Sequence, residues 1–73
     1  MRTDPQLHEA KVRHDAIAAA LARGHHYLKP IPAGKTQARW ECGVCGMEVE
    51  ADWNPPANGI DVSGPAVALN CPN

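Results

Sequence analysis

The 73 residues predict a small α+β domain, with an N-terminal helix over residues 3–24 and a three- to four-stranded antiparallel sheet over residues 25–73. Three observations carry this reading. Apolar residues recur at three- and four-residue steps up to Gly24, and they alternate with acidic residues after Met47. Between these stretches, WECGVCG (40–46) sets two cysteines three positions apart among glycines.

The helix has start and stop signals. Either Thr3 caps it with Gln6 three positions on, or Asp4 caps it with Pro5 in the first turn; both place the start at the same point. Leu7, Ala10, His14, Ile17, Ala18 and Leu21 share one helical stripe, which predicts the core-facing side. Gly24 supplies the left-handed residue that ends a helix.

The remainder predicts short strands. HHYLKPIP (25–32) and QARWEC (37–42) flank a four-residue loop, 33–36, of hairpin composition. Pro30 and Pro32 cannot donate ladder hydrogen bonds, so the first strand belongs at a sheet edge. Met47, Val49, Ala51 and Trp53 alternate with Glu48, Glu50 and Asp52, the period of a strand with one wet face. NPPANGIDVSGP (54–65) predicts a loop, with Pro55-Pro56 stiffening it and Asn58-Gly59 a turn, and AVALNC (66–71) predicts the last strand.

A chain of this length buries too little apolar surface to be stable by a wide margin without a staple. Phenylalanine is absent, the aromatic residues are Tyr27, Trp40 and Trp53, and alanine supplies much of the apolar fraction, so the core is thin. The two tryptophans are expected in that core, with base stacking as the alternative use.

Cys42 and Cys45, with glycines beside them, have the spacing of a knuckle whose two thiolates reach one tetrahedral ion. If loop 33–36 closes a hairpin, Pro32 lies opposite Gln37, Tyr27 opposite Cys42 and His25 opposite Val44. That register selects His25 as a ligand, and a one-residue slip selects His26. Folding 47–53 against 66–70 returns Cys71 to the knuckle. The predicted set is Cys42, Cys45, Cys71 and His25 around one structural Zn²⁺ per chain, a closed site with no open position for a catalytic water. Read as structural residues instead, Cys71 is a small hydrophobe and the two histidines are wet residues after a helix. His14 is expected to pack within the helix stripe and is the reserve ligand, while His8 reads as solvated surface.

The pattern H-x-Y at 25–27, W-x-C-x-x-C-G at 40–46 and Cys71-Pro72 resembles zinc-ribbon domains over about the last fifty residues. The alanine- and proline-rich composition with an N-terminal helix is similar to small uncharacterised zinc-ribbon proteins of actinobacteriophages. The chain departs from the usual ribbon in having one cysteine in its second knuckle, with His25 or His26 standing in. The resemblance implies a zinc-ribbon-like sheet and no single activity.

Several chemistries are excluded by pattern. A thioredoxin-like site needs its second thiol inside a helix, which Gly43, Gly46 and the alternation after Met47 deny. A zinc deaminase needs His-x-Glu and Pro-Cys-x-x-Cys, and neither string occurs. A Cys42–Cys45 disulfide would leave Cys71 odd. No catalytic residue is predicted, and the chain is expected not to be an enzyme.

Charge is divided along the chain. Residues 1–39 hold all seven Lys and Arg with Asp4, Glu9 and Asp15, a net of +4, whereas residues 40–73 hold five acids and no base, a net of −5. With near-neutral overall charge, an acidic strand beside the metal and no open catalytic position, the expected function is a protein-binding adaptor or regulator, and the phage resemblance implies a larger host or phage protein as its partner. The alternative is nucleic-acid binding through Arg2, Lys11, Arg13, Arg23, Lys29, Lys35 and Arg39. The first residues, MRTDPQLHEA, lack a basic region followed by an apolar block, and no apolar run is long enough to span a bilayer, so the expectation is a cytoplasmic chain with no membrane partner.

Overall fold

A computed structural model describes residues 5–54 and 60–72. Helix α1 (Pro5–Ala22) is followed by strands β1 (Lys29–Ile31), β2 (Gln37–Glu41), β3 (Glu48–Asp52) and β4 (Val62–Ser63), then the single-turn helix α2 (Pro65–Ala68). The four strands form one antiparallel sheet in the order β1-β2-β3-β4, which puts the proline-bearing β1 at an edge as expected. The capping residues Thr3 and Asp4 and the Pro55-Pro56 and Asn58-Gly59 pairs lie outside the described residues.

Helix α1 lies on one face of the sheet, and α2 packs against α1, β3 and β4. The buried core is Val12, Ala16 and Ala20 from α1, Ala38 from β2, Val49 and Ala51 from β3, and Ala66 from α2. Trp40 and Trp53 pack partly buried against it, at the edge of the core. Ala38 pairs with Ala51 and Trp40 with Val49, so these residues share the face beneath the helix. The opposite face carries Arg39, which donates to Glu48 at 2.7 Å.

The predicted stripe on α1 is a correction. The helix seats its Val12, Ala16 and Ala20 face, while Leu7, Ala10, His14, Ala18 and Leu21 are exposed and Ile17 is half-buried. The reason is steric. Alanines spaced four apart let the helix backbone approach the sheet surface of Ala38, Val49 and Ala51 closely.

Three further expectations change. The β1–β2 register is Lys29 opposite Glu41, Pro30 opposite Trp40 and Ile31 opposite Arg39, one residue from the predicted alignment. Residues 66–71 do not form a strand: Pro65 opens a helical turn over Pro65–Ala68, and the fourth strand is Val62–Ser63, paired with β3 as Ala51 opposite Val62. Asp52, expected on the wet face, is only 8% exposed. Its carboxylate accepts hydrogen bonds from Thr36 Oγ1 at 3.2 Å, Gln37 Nε2 at 3.1 Å and the Asn54 amide at 3.0 Å, tying the β1–β2 turn to the end of β3. The Gln37 and Asn54 bonds, helped by Thr36 and opposed by burial, hold that carboxyl below the usual range.

Candidate metal centre

The site forms where the end of α1, the β2–β3 turn and the C-terminal segment meet. Helix α1 ends in a Schellman arrangement: Gly24, at φ 83°, donates to Leu21 O at 2.9 Å, and His25 N donates to Ala20 O at 3.1 Å. This motif fixes the residue after the glycine against the last helical turn. His25 therefore turns inward and is fully buried.

Cys42 to Met47 make the tight turn of the β2–β3 hairpin. Cys42 N donates to Met47 O at 2.8 Å, Gly46 N donates to Cys42 O at 3.0 Å, and Gly46 takes a left-handed φ of 81°. Gly43 N donates to His26 O at 3.1 Å, and a Cβ at Gly43 would lie 2.8 Å from both Cβ and O of Tyr27. Only glycine permits that approach. The segment after α1 is thereby clamped to the knuckle, and Tyr27 sits at φ 56°, an uncommon conformation for a side chain of its size.

Cys71 arrives by a different route from the one predicted. After α2 the backbone becomes extended at Leu69, and Cys71 N donates to Arg23 O at 2.8 Å. Arg23 also donates to Asn70 Oδ1 at 3.3 Å. The C-terminal segment is tied to the end of the helix rather than to β3.

The result is that His25, Cys42, Cys45 and Cys71 each offer one ligand atom, all within 4.8 Å of one another. Cys45 Sγ is 3.4 Å from His25 Nδ1, close to the S···N edge of about 3.6 Å that zinc-ligand bond lengths give for a tetrahedron. The four predicted ligands are brought together. His26 and His14 are exposed and do not belong to the group. His25 is thus the predicted residue placed by an unpredicted cause, since the helix stop sets it, whereas the hairpin register that selected it is shifted.

The second ring nitrogen of His25 explains which one faces the sulfurs. Nε2 is 2.9 Å from Leu69 O, and a carbonyl only accepts, so Nε2 carries the proton and Nδ1 presents its lone pair to the cluster. This outer contact orients the ring before any ion arrives. Sequence reasoning missed Leu69 because a backbone carbonyl leaves no mark in residue identity.

Cys42 and Cys45 do not ionise alike. Burial pushes Cys42 up, but hydrogen bonds from the Cys45 and Val44 amides, at 3.5 and 3.4 Å, outweigh it and bring the thiol down to about 5. At Cys45 a hydrogen bond from the Met47 amide lowers the thiol, yet burial and the neighbouring sulfurs of Cys42 and Cys71 leave it raised. Three sulfurs this close cannot all ionise unaided. A divalent ion removes that conflict, because a coordinated thiol is deprotonated outright. The donor set fits a metal ion, and it is able to hold one.

The chain matches no protein-family model, no curated protein and no solved structure. Among the described residues, no helix is long and apolar enough to cross a membrane.

Proposed function

We propose that the ion is Zn²⁺, one per chain, held by Cys42, Cys45, Cys71 and His25 as a structural staple, and that the stapled chain is a protein-binding adaptor or regulator of zinc-ribbon type. The observation that carries this is the four-ligand cluster, whose atoms lie within 4.8 Å of one another. Three thiolates and a neutral imidazole form a borderline-soft set that suits zinc, and four protein ligands fill its preferred coordination. A filled shell leaves the protein, not the ion, to present the functional surface. The resemblance to actinobacteriophage zinc ribbons extends the proposal to a phage-encoded chain acting in the cytoplasm on a host protein.

The nucleic-acid alternative draws on the basic half, but three of its seven cations are engaged locally with acids. Lys11 pairs with Asp15 at 2.8 Å, Arg13 with Glu9 at 3.0 Å and Arg39 with Glu48 at 2.7 Å. Arg13 also lies over the Trp53 ring at 4.7 Å. These acids weaken the field available to a phosphate backbone.

The adaptor reading predicts that the immobilised zinc-loaded chain enriches a discrete bacterial protein and that a chelator-treated control does not. Enrichment of nucleic acid alone, lost steeply between about 50 and 200 mM salt, contradicts it.

A further inference from the structure

Helix α1 is apolar on two opposite sides, and the sheet covers only one. A rotation of 100° per residue places His14 diametrically opposite the buried Val12–Ala16–Ala20 face. Around it lie Leu7, Ala10, Ala18 and Leu21, all exposed, with Leu7 at 68% and Leu21 at 47%. A helix apolar on both sides is ordinarily covered on both.

The uncovered stripe is self-complementary. Its order is Leu7, Ala10, His14, Ala18, Leu21, and the same residue types at the same spacing read identically from either end. A twofold axis perpendicular to the helix at His14 therefore sets Leu7 against the other copy's Leu21, Ala10 against Ala18 and His14 against His14. This is the contact rule of an isologous interface. Small alanines on either side of the centre let two helices approach closely.

Charge follows the same symmetry. Lys11 and Asp15 occupy one flank of the stripe, paired within the helix at 2.8 Å. In an antiparallel twofold arrangement each flank meets its own copy. With a rise of about 1.5 Å per residue, Lys11 of one helix comes level to within about 3 Å with Asp15 of the other. Both attractive pairs form at once. The two Asp15 are also level to within about 3 Å, but they stand about 100° round from His14, farther from the seam than Lys11 at about 60°. A parallel pairing instead sets this flank against the one carrying Ile17 and Arg13.

We propose that the outer face of α1 is a docking surface for a second copy of this chain, joined antiparallel about His14. The proposal does not depend on the identity of the ion. It also fits the thin core, since the two valines and five alanines of the buried cluster leave a short chain that gains from burial outside itself. A face one helix wide is at the low end of specific interfaces, so the association is weak and visible at high concentration.

The test is sedimentation equilibrium of the full metal-bound chain up to about 0.5 mM, the range where small interfaces of this kind assemble. Wild type is expected to dimerise. Leu21→Glu, on the side of the helix away from the core, abolishes dimerisation while the circular dichroism and the bound metal are retained. Lys11→Glu and Asp15→Lys each weaken self-association by roughly tenfold, because each converts two attractive pairs into two repulsive ones. Mixing these two variants restores association to near the wild-type level, since the mixed dimer regains both pairs. A chain that stays monomeric throughout, a dimer indifferent to Leu21→Glu, or a mixture no stronger than its two components overturns the proposal. A role for Lys11 and Asp15 confined to their own helix gives no gain on mixing.

Discussion

Chelation is expected to unfold this chain. The buried cluster consists of Val12, Val49 and five alanines, with the tryptophans only partly covered. Cores of small domains rarely supply more than about 3–5 kcal/mol, and this one is poor in large side chains. A structural zinc site contributes about 10–16 kcal/mol in finger peptides, so if the proposed zinc staple is present its removal leaves a deficit that the apolar contacts cannot offset. In excess strong chelator, the cooperative thermal transition and most of the strand signal in circular dichroism should disappear, and stoichiometric zinc should restore both. Cys42→Ser should behave like the chelated protein, because Cys42 is buried at the root of the β2–β3 turn and receives the two amide hydrogen bonds that favour its thiolate. A melting curve unaltered by chelator would show that the fold stands without the ion.

Substitution of the adjacent histidines should separate them sharply. His25→Ala removes the one nitrogen donor of the cluster and empties the largest fully buried side-chain position. Metal affinity is expected to fall by more than about 100-fold, beyond the 10- to 100-fold range typical of losing an outer-shell partner. His26→Ala removes an exposed ring and leaves the carbonyl that accepts from Gly43, so competition titration with a chromophoric chelator should give the wild-type affinity. Equal losses in the two variants would contradict the assignment of His25 as the ligand.

The pair also shows why the site was legible in the sequence while parts of the fold were not. Ligand chemistry is encoded in residue type: three cysteines and four histidines in a short chain leave few ways to build a four-donor cluster, and Gly24 marks the helix stop that delivers His25. The route between these points depends on backbone details with weak signals. The hairpin composition that predicts a strand from His25 is blind to Tyr27, whose positive φ breaks extended structure before Lys29. The register then shifts by one residue. Alanine is ambiguous in the same way. Ala16 and Ala20 mark a close helix-to-sheet contact, while Ala10 and Ala18 face outward, and composition alone favours the leucine-bearing side. At the other end, AVALNC (66–71) is expected as the last strand, yet Pro65 in the first turn and the helical preference of alanine prevail. Cys71 still reaches the cluster because its amide is tied to Arg23, a long-range backbone bond without a residue signature.

The central claim is that one ion holds the end of the helix, the hairpin turn and the C-terminal segment together. Native mass spectrometry of the chain, purified without added chelator, measures this most directly by weighing the folded species with its bound metal. The account predicts a compact charge-state distribution carrying a single zinc per chain, converting to an extended distribution as the zinc is lost. A compact, well-folded species with no metal bound would contradict it.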